Sequence, residues 1–378
     1  MPLSSPLQRR LSDSISGAME RRANRQPVWR GPEEDGVTQS LLGRFLSDRE
    51  RFRLLVVEGL KEKDRFNHRL EYGSLWHHCE EATAAKKPWL PALQTYAKQL
   101  IDKYRESAND IDKWYKVAKV QYPIYLKWWA THPDVKSRNP IYQETEFSVP
   151  YRLPSGRTVR LRGKWDAVDL IREAPVGIYI QENKTKGDVR EEQIKSQITY
   201  DLQSMTYLTA VVNWAEITTK SWPVRGFRYN VVRRPLSGRE FNIIQLKGRG
   251  KEKKGAETDE QFYQRLGKII EENAAKFFMR WRVEVSRDEL LEFQRQSLNP
   301  ILEQLCDWWE WIAVDPFNPW RRSETEAANG IGNVHFRLPY GVWNPTLEGR
   351  ESEYDDYLRT GNARYLDKVD DLFPELAV

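Results

Sequence analysis

The middle of the chain reads Val159-Arg160-Leu161-Arg162-Gly163-Lys164-Trp165-Asp166, a stretch in which apolar and charged side chains alternate. Successive side chains of a β-strand point to opposite faces, so the apolar residues share one face and the cations share the other, with Asp166 as their last neighbour. Further along, the chain reads Gly177-Ile178-Tyr179-Ile180-Gln181-Glu182-Asn183-Lys184. Glu182 and Lys184 are two residues apart and point the same way. If the two strands pair, Asp166 and Glu182 converge.

Two converging carboxylates suit a hard divalent cation, because Mg²⁺ prefers oxygen ligands and keeps several waters. One such water, made more acidic by the metal, can attack a phosphodiester, and Lys184 could orient that water or offset negative charge in the transition state. The backbone carbonyl of Asn183 reaches the metal only if the strand is bent locally. Asp169 could substitute for Asp166, although it falls on the opposite face of a regular strand. A simpler interpretation is that these acids form surface ion pairs on an exposed strand.

A helix predicted over residues 73–86 carries further candidates. It opens with Gly73-Ser74-Leu75-Trp76-His77, and His77 can reach a metal through an imidazole nitrogen. Glu81 lies four residues on, on the same helical face, as a supporting residue. Zinc is not expected, because consecutive residues such as His77, His78 and Cys79 cannot easily share a tetrahedral site.

A row of Gln and Tyr residues follows on a long helix predicted over residues 189–214. Gln203 and Tyr207 are four residues apart and Gln197 and Tyr200 are three apart, so each pair shares a helical face. Such a row suits hydrogen bonds to the phosphates and sugars of DNA beside a metal. An ordinary polar helix surface would show the same pattern.

Composition narrows the class of protein. The 60 Lys+Arg against 55 Asp+Glu give a net charge of +5, which is compatible with a nucleic-acid partner without requiring one. Only two cysteines are present, which excludes a disulfide framework and a four-cysteine metal or iron–sulfur site. No apolar run is long enough to cross a bilayer, and the N-terminus has no hydrophobic signal core. We expect an intracellular, cytoplasmic protein without membrane contact.

The order of predicted elements is helices, three strands, a helix, a strand and further helices, which indicates the α/β class. Strands are predicted at residues 145–150, 157–171, 177–184 and 226–234, and further helices at residues 91–130, 258–274 and 287–313. We expect a flexible arm over residues 1–36, a helical part with the His77 helix over 37–140, a catalytic core over 141–240, and a helical C-terminal region over 241–378. That last region opens with a basic loop at 247–254, which could hold phosphates or be a solvated run of charge.

Taken in order, these residues resemble the RecB-like and phage exonuclease branch of the PD-(D/E)XK nucleases. That branch carries a Gly-x-x-x-His helix, a Gly-x-x-Asp strand, a Glu-x-Lys strand and a Gln-x-x-x-Tyr helix. The matching pairs are Gly73 and His77, Gly163 and Asp166, Glu182 and Lys184, and Gln203 and Tyr207. The resemblance covers about residues 40–235. It implies a restriction-endonuclease-like core, a small mixed sheet flanked by helices, with helical N-terminal and C-terminal additions.

The resemblance also implies a function: a divalent-metal-dependent DNA nuclease, acting as an exonuclease in DNA recombination, repair or phage DNA metabolism. Asp166 and Glu182 would bind Mg²⁺ or Mn²⁺, with His77 as a further ligand and Lys184 as the catalytic lysine. Gln203 and Tyr207 would position the DNA strand, with Gln197 and Tyr200 on the same helix.

The chain also departs from some members of that branch. The cysteines of the iron–sulfur members are missing, and so is the Gly-x-x-x-x-Gly-Lys-Ser/Thr loop of a fused helicase, so neither a cluster nor a motor is expected. The expected partners are single-stranded DNA or duplex ends, and a recombination or single-strand-binding protein. The protein could be phage-encoded, and its oligomeric state is open. A site- or structure-specific endonuclease and a non-catalytic DNA-binding protein on the same fold are the alternatives. The intact set of Asp166, Glu182 and Lys184 argues against the second of these.

Overall fold

A computed structural model describes residues 28–47, 49–63, 65–132, 134–189, 192, 201–214, 222–236, 257–314, 353, 357 and 362–369. The α-helices are α1 Gln39–Ser47, α2 Arg49–Phe52, α3 His68–Ala84, α4 Trp89–Lys103, α5 Ala108–Ala130, α6 Asp134–Ser137, α7 Leu202–Asn213, α8 Asp259–Glu272, α9 Ala274–Phe277, α10 Arg287–Phe293 and α11 Asn299–Val314. The strands are β1 Leu60–Glu62, β2 Arg138–Arg152, β3 Thr158–Ile171, β4 Gly177–Lys186, β5 Val224–Arg233, β6 Phe278–Glu284 and β7 Leu366–Lys368. Short π-helical segments follow α2 and α10, at Arg53–Val57 and Gln294–Leu298, and a 3-10 turn at Arg105–Ser107 separates α4 from α5.

Five strands form a mixed sheet in the order β2-β3-β4-β5-β6. Strands β3 and β4 are antiparallel, β4 and β5 are parallel, and β5 and β6 are antiparallel. Strands β1 and β7 make a separate two-stranded antiparallel sheet. Helices flank the five-stranded sheet, so the predicted α/β class with a restriction-endonuclease-like core is confirmed.

The four predicted strands are all present, as β2 to β5, with ends that differ by a few residues except at the start of β2. Strand β6, which contains Arg280, Trp281 and Arg282, was not predicted. A short strand rich in arginine carries little local signal, and β6 exists through its pairing with β5, where Arg280 lies opposite Asn230. The helix predicted over residues 91–130 is two helices, α4 and α5.

The described residues group into two compact units, each built from stretches that are separate in sequence. One unit takes in residues 1–64, 146–164 and 291–378, and the other takes in 65–145 and 165–290. These ranges differ from the contiguous segments that the sequence suggested. The predicted boundaries followed changes in local pattern, whereas compactness follows packing between stretches that are distant along the chain.

The end of the expected flexible arm is packed, in contrast to the prediction. Trp29 is fully buried, its indole Nε1 donates to the carbonyl of Gly36 over 2.9 Å, and its ring meets the ring of Phe52 edge-on at 5.6 Å. Arg30 forms an ion pair with Asp35, with 2.6 Å between Nη2 and Oδ1. Burial of so large an aromatic surface holds residues 28–36 in place. The rest of the arm, residues 1–27, lies outside the described residues.

Helix α3 begins earlier than predicted, at His68 rather than after Gly73. The side chain of Asn67 accepts a hydrogen bond from the N–H of Arg69 over 3.0 Å and so caps the helix at that point. Gly73 therefore lies inside the helix, where a Cβ would come within 3.3 Å of Thr185 Oγ1 on β4. The glycine thus lets α3 lie close to the strand that carries Glu182 and Lys184.

Aromatic residues fill the core of the unit that contains α3, α4 and α5. The ring of Trp76 meets the rings of Tyr122 and Tyr125 edge-on at 5.0 and 5.1 Å, and Tyr72 meets Trp114 at 5.3 Å. The abundant aromatics of these helices therefore serve the core. Within the part of the chain that the structure describes, no helix combines the length and the apolar character that a membrane crossing needs.

Candidate active site

The site lies where β3 and β4 stop pairing. Their antiparallel register runs from Ile171 opposite Gly177 to Ala167 opposite Gln181, and Asp166 and Glu182 are the next residues on each strand. At this point the N–H of Asn183 donates to Asp166 Oδ2 over 2.7 Å. The carboxylate of Asp166 thus accepts the hydrogen bond that a main-chain carbonyl of β3 would accept if the ladder continued. The structure brings Asp166 and Glu182 together at the end of the paired region.

Glu182 is buried, with 2% of its surface exposed. Its Oε2 lies 2.8 Å from Lys184 Nζ, while its Oε1 is buried and has no hydrogen-bond partner among the described residues. Burial raises the pKa of Glu182 and Asp166 adds to that effect, whereas Lys184 opposes it. A buried carboxylate oxygen without a partner is costly, so the site is built to hold something more than its own side chains.

Lys184 is held from two sides. Its Nζ contacts Glu182 and also donates to Gln203 Oε1 over 3.0 Å. Burial disfavours the charged form of Lys184, but Glu182 and Asp166 outweigh burial and raise its pKa above the usual value. Lys184 therefore stays an ammonium ion with a fixed position.

Gln203 and Tyr207 lie on α7, on the side of β4 that carries Glu182. Helix α7 begins only at Leu202, because Asp201 is extended and its side chain accepts from the N–H of Ser204 over 2.8 Å. The predicted helix over residues 189–214 is therefore not one continuous helix. Burial, and then the charge of Glu182, raise the pKa of Tyr207. Gln197, Tyr200 and the basic loop at 247–254 lie outside the described residues.

Sequence reasoning missed Glu80. It lines a cavity of about 330 Å³ together with Asp166 and Asn183. Its Oε1 accepts from the hydroxyl of Tyr125 over 2.9 Å, and its Oε2 is buried without a hydrogen-bond partner in the described part of the chain. Burial, and then Asp166, raise the pKa of Glu80 to about 8. The helical spacing of three residues between His77 and Glu80 was the available signal.

The sequence favoured Glu81 as the neighbour of His77, and the structure corrects this. Glu81 Oε2 lies 3.4 Å from the Nδ1 of His78, on a partly exposed side chain. His77 lies beside Glu80 instead, with 3.8 Å between its Nδ1 and Glu80 Oε2, and 38% of its side chain is exposed. Among the described residues, no hydrogen bond or ion pair joins His77 to Asp166 or to Glu182. The structure therefore leaves Glu80 as the acid of α3 that shares the cavity with Asp166.

Asp169, the alternative to Asp166 that the sequence left open, lies in ion pairs. It is fully buried, its Oδ2 accepts from Arg138 Nε over 2.7 Å, and the same oxygen lies 3.6 Å from Arg228 Nη1. Two guanidinium groups lie beside its charge and tie β3 to its neighbours, while its Oδ1 is buried without a hydrogen-bond partner among the described residues. These ion pairs favour Asp166 over Asp169 as the carboxylate of the candidate site.

The donor set fits a hard divalent cation. Nowhere in the described ranges do three His, Cys, Asp or Glu side chains form a ready-made metal site. Mg²⁺ does not need one, because it commonly takes one or two carboxylates and fills its other positions with water. Asp166 and Glu182 could supply these carboxylates, and Glu182 Oε1 and Glu80 Oε2 are buried oxygens that lack a hydrogen-bond partner in the described ranges.

Comparison with known proteins agrees with this geometry. The sequence profile described as the PD-(D/E)XK nuclease superfamily matches residues 37–296, which include Asp166, Glu182 and Lys184. No curated protein matches the chain.

Proposed function

This chain belongs to the PD-(D/E)XK nuclease superfamily, and from that premise we propose that it is a divalent-metal-dependent deoxyribonuclease that digests DNA from its ends. Members of the superfamily are generally nucleases that use metals such as Mg²⁺ or Mn²⁺. The observation that carries the proposal is the meeting of Asp166, Glu182 and Lys184 at the end of the β3–β4 ladder. Two pairs of residues on helices, Gly73 with His77 and Gln203 with Tyr207, support assignment to the RecB-like and phage exonuclease branch.

Asp166 and Glu182 would hold the metal, and Glu182 Oε1 and Glu80 Oε2 are among the buried oxygens without a hydrogen-bond partner in the described part of the chain. When bound, the metal would supply positive charge and a water of lowered pKa. Two residues are candidates for a further ligand. His77 is a candidate because it matches the family pattern, and Glu80 is a candidate because it lines the same cavity as Asp166. The main-chain carbonyl of Asn183 is a third, since the strand ladder is interrupted beside it.

Lys184 would act on the phosphate that is attacked. Its ammonium ion is kept charged by Glu182 and kept in place by Gln203. A fixed cation stabilises negative charge that grows on phosphate oxygens in the transition state, and it does so without reorganisation. It can also hold the attacking water by a hydrogen bond.

Gln203 and Tyr207, with Gln197 and Tyr200, would position the strand of single-stranded or duplex DNA that enters the site. The basic loop at 247–254 would hold backbone phosphates further away. We place the enzyme in DNA recombination, repair or phage DNA metabolism, where a single-strand-binding or recombination protein would be its partner.

The test is incubation of the purified protein with end-labelled single-stranded, linear duplex and circular DNA, in Mg²⁺, in Mn²⁺ and in EDTA. Glu182→Gln is the inactive variant. Glu271→Gln is the matched control, since Glu271 makes an exposed ion pair with Lys127 over 2.6 Å. We expect metal-dependent loss of linear DNA but not of the circle, in the wild type and the control only.

The outcomes separate the alternatives. Cutting of the circle would replace the exonuclease with an endonuclease that uses the same site. Equal cleavage by wild type and Glu182→Gln would overturn the assignment of the site. Binding of DNA without cleavage in any metal would indicate a non-catalytic protein on this fold.

A further inference from the structure

A buried amide, Asn230 on β5, lies at the centre of a hydrogen-bond network on the other side of β4 from Lys184. Asn230 is 1% exposed. Its Oδ1 accepts from the Nε and Nη2 of Arg280 over 3.3 and 3.2 Å. Its Nδ2 donates to Asn183 Oδ1 over 2.9 Å and to the hydroxyl of Tyr125 over 2.7 Å. Both ends of the amide are therefore occupied, and they connect β4, β6 and α5.

Arg280 decides which way this amide faces. A guanidinium can only donate hydrogen bonds, so the oxygen of Asn230 must face Arg280 and the nitrogen must face Asn183 and Tyr125. Arg280 is itself held by Trp129, with its Cζ 3.6 Å from the centre of the indole ring. Tyr125 accepts from Asn230 and so keeps its own proton for Glu80 Oε1, 2.9 Å away.

The network ends on Asn183, the residue between Glu182 and Lys184 in the sequence. Asn183 Oδ1 accepts from both Asn230 Nδ2 and Gln181 Nε2, the second over 3.0 Å, so its side chain is fixed by two donors. The main-chain N–H of the same residue donates to Asp166 Oδ2. A change in the conformation of Asn183 would therefore move Asp166 relative to Glu182.

We propose that Asn230 is a positioning residue of the active site. Through Asn183, Asn230 sets the spacing between Asp166 and Glu182, and Arg280 sets the orientation of the Asn230 amide. This inference rests on the proposed function, because the spacing matters only if the two carboxylates hold a metal. Residues that orient metal-holding groups typically change metal affinity or activity by about 10- to 100-fold when they are replaced.

A residue with a purely structural role gives the matched control. Gln121 is also fully buried, accepts from the hydroxyl of Tyr72 over 2.5 Å and donates to the carbonyl of Arg233 over 2.9 Å. It belongs to the same compact unit but makes no hydrogen bond to the active site. Replacement of either amide by alanine should lower the thermal midpoint, whereas only replacement of Asn230 should weaken metal binding.

The experiment measures binding of Mn²⁺ alone by calorimetry, with wild type, Asn230→Ala, Asn230→Asp and Gln121→Ala, each well below its thermal midpoint. We expect Asn230→Ala to raise the dissociation constant for Mn²⁺ about 10-fold or more, with little change in DNA affinity in EDTA. Asn230→Asp should weaken Mn²⁺ binding as well, since it still accepts from Arg280 but cannot donate to Asn183. Gln121→Ala should bind Mn²⁺ like the wild type.

A second variant covers the case in which Asn230→Ala does not fold. Arg280→Met removes the donor that orients Asn230 and should weaken Mn²⁺ binding by less than Asn230→Ala but by more than Gln121→Ala. Equal Mn²⁺ affinity in the wild type and a folded Asn230→Ala or Arg280→Met variant would overturn the inference, and so would an equal loss in Gln121→Ala. A wild type that neither binds Mn²⁺ nor cleaves DNA would overturn the proposed function as well.

Discussion

The two faces of β4 carry different polar groups beside the candidate site. One face carries Glu182 and Lys184, two buried charges with one carboxylate oxygen that has no hydrogen-bond partner among the described residues. The other face carries Asn183, a neutral amide whose oxygen accepts two hydrogen bonds. Buried polar groups that are fully bonded make a structure rigid, while groups left partly bonded are available to a ligand. We therefore propose that the chemistry belongs to the first face, called the charged face below, and its support to the second, called the amide face.

The largest effect should come from the carboxylates at the end of the ladder. Glu182→Gln and Asp166→Asn each remove a charge that the metal needs, and several kcal/mol of transition-state stabilisation corresponds to a loss of about 1,000-fold in rate. The measurement is the single-turnover rate on end-labelled DNA in Mg²⁺. DNA binding in EDTA should be retained, and a variant that still cuts at the wild-type rate would remove Asp166 or Glu182 from the mechanism.

Lys184→Ala should cause the second-largest loss of activity, because it removes the fixed cation of the charged face. Loss of one preorganised electrostatic group slows a reaction by about 100- to 1,000-fold, and the protein should remain folded. The control is Lys127→Ala, which removes an exposed ammonium ion from the surface. An unchanged single-turnover rate in Lys184→Ala would show that the face provides metal ligands only.

Asp169→Asn tests whether the amide face contributes to the stability of the fold and not to the rate of cleavage. Asp169 lies opposite Tyr179 on β4 and carries the charge that balances Arg138 and Arg228. Removal of one partner from a buried ion pair costs about 3 kcal/mol or more. Urea unfolding should show this loss, while the activity of the folded fraction should stay near that of the wild type. A normal stability together with a lost activity would reverse the roles of the two aspartates.

The smallest effect should come from α3, where the structure and the resemblance disagree about the third ligand. Glu80→Gln keeps the acceptor for Tyr125 but removes a carboxyl oxygen that could ligate the metal beside Asp166, and we expect about a 10-fold weaker affinity for Mn²⁺. His77→Ala should have a smaller effect, since His77 contacts Glu80 and not the two carboxylates. Glu81→Gln is the control on the same helix. A larger loss in His77→Ala than in Glu80→Gln would restore the histidine as the ligand.

Much of the charged face could be predicted because its signals are local. Alternation along β3 and β4 places Asp166 at the end of one strand and puts Glu182 and Lys184 on one side of the next, and this follows from the geometry of any strand. The spacing of Gln203 and Tyr207 likewise places both on one side of α7. The function class followed from these residues through their resemblance to a family, and the match over residues 37–296 shows that family.

The amide face could not be predicted, because its parts meet only in three dimensions. Asn230, Arg280 and Tyr125 come from β5, β6 and α5, and nothing in their local sequences distinguishes them from other polar or aromatic residues. The choice between Glu80 and Glu81 also depended on the rotation of α3 against the sheet. Asn67 caps that helix, which begins at His68, five residues before the glycine that was expected to open it, and Gly73 lets it pack near Thr185.

The sequence by itself determined which side chains share a strand face and which chemistry they can support, because side-chain alternation is a property of the local backbone. Only the tertiary structure decided that β3 and β4 stop pairing at Asp166, that Asp169 is used in an ion pair, and that Glu80 shares a cavity with Asp166. These outcomes depend on hydrogen bonds and charge pairs between residues far apart in the chain. Their free energies are set by burial and by the partners that folding brings together.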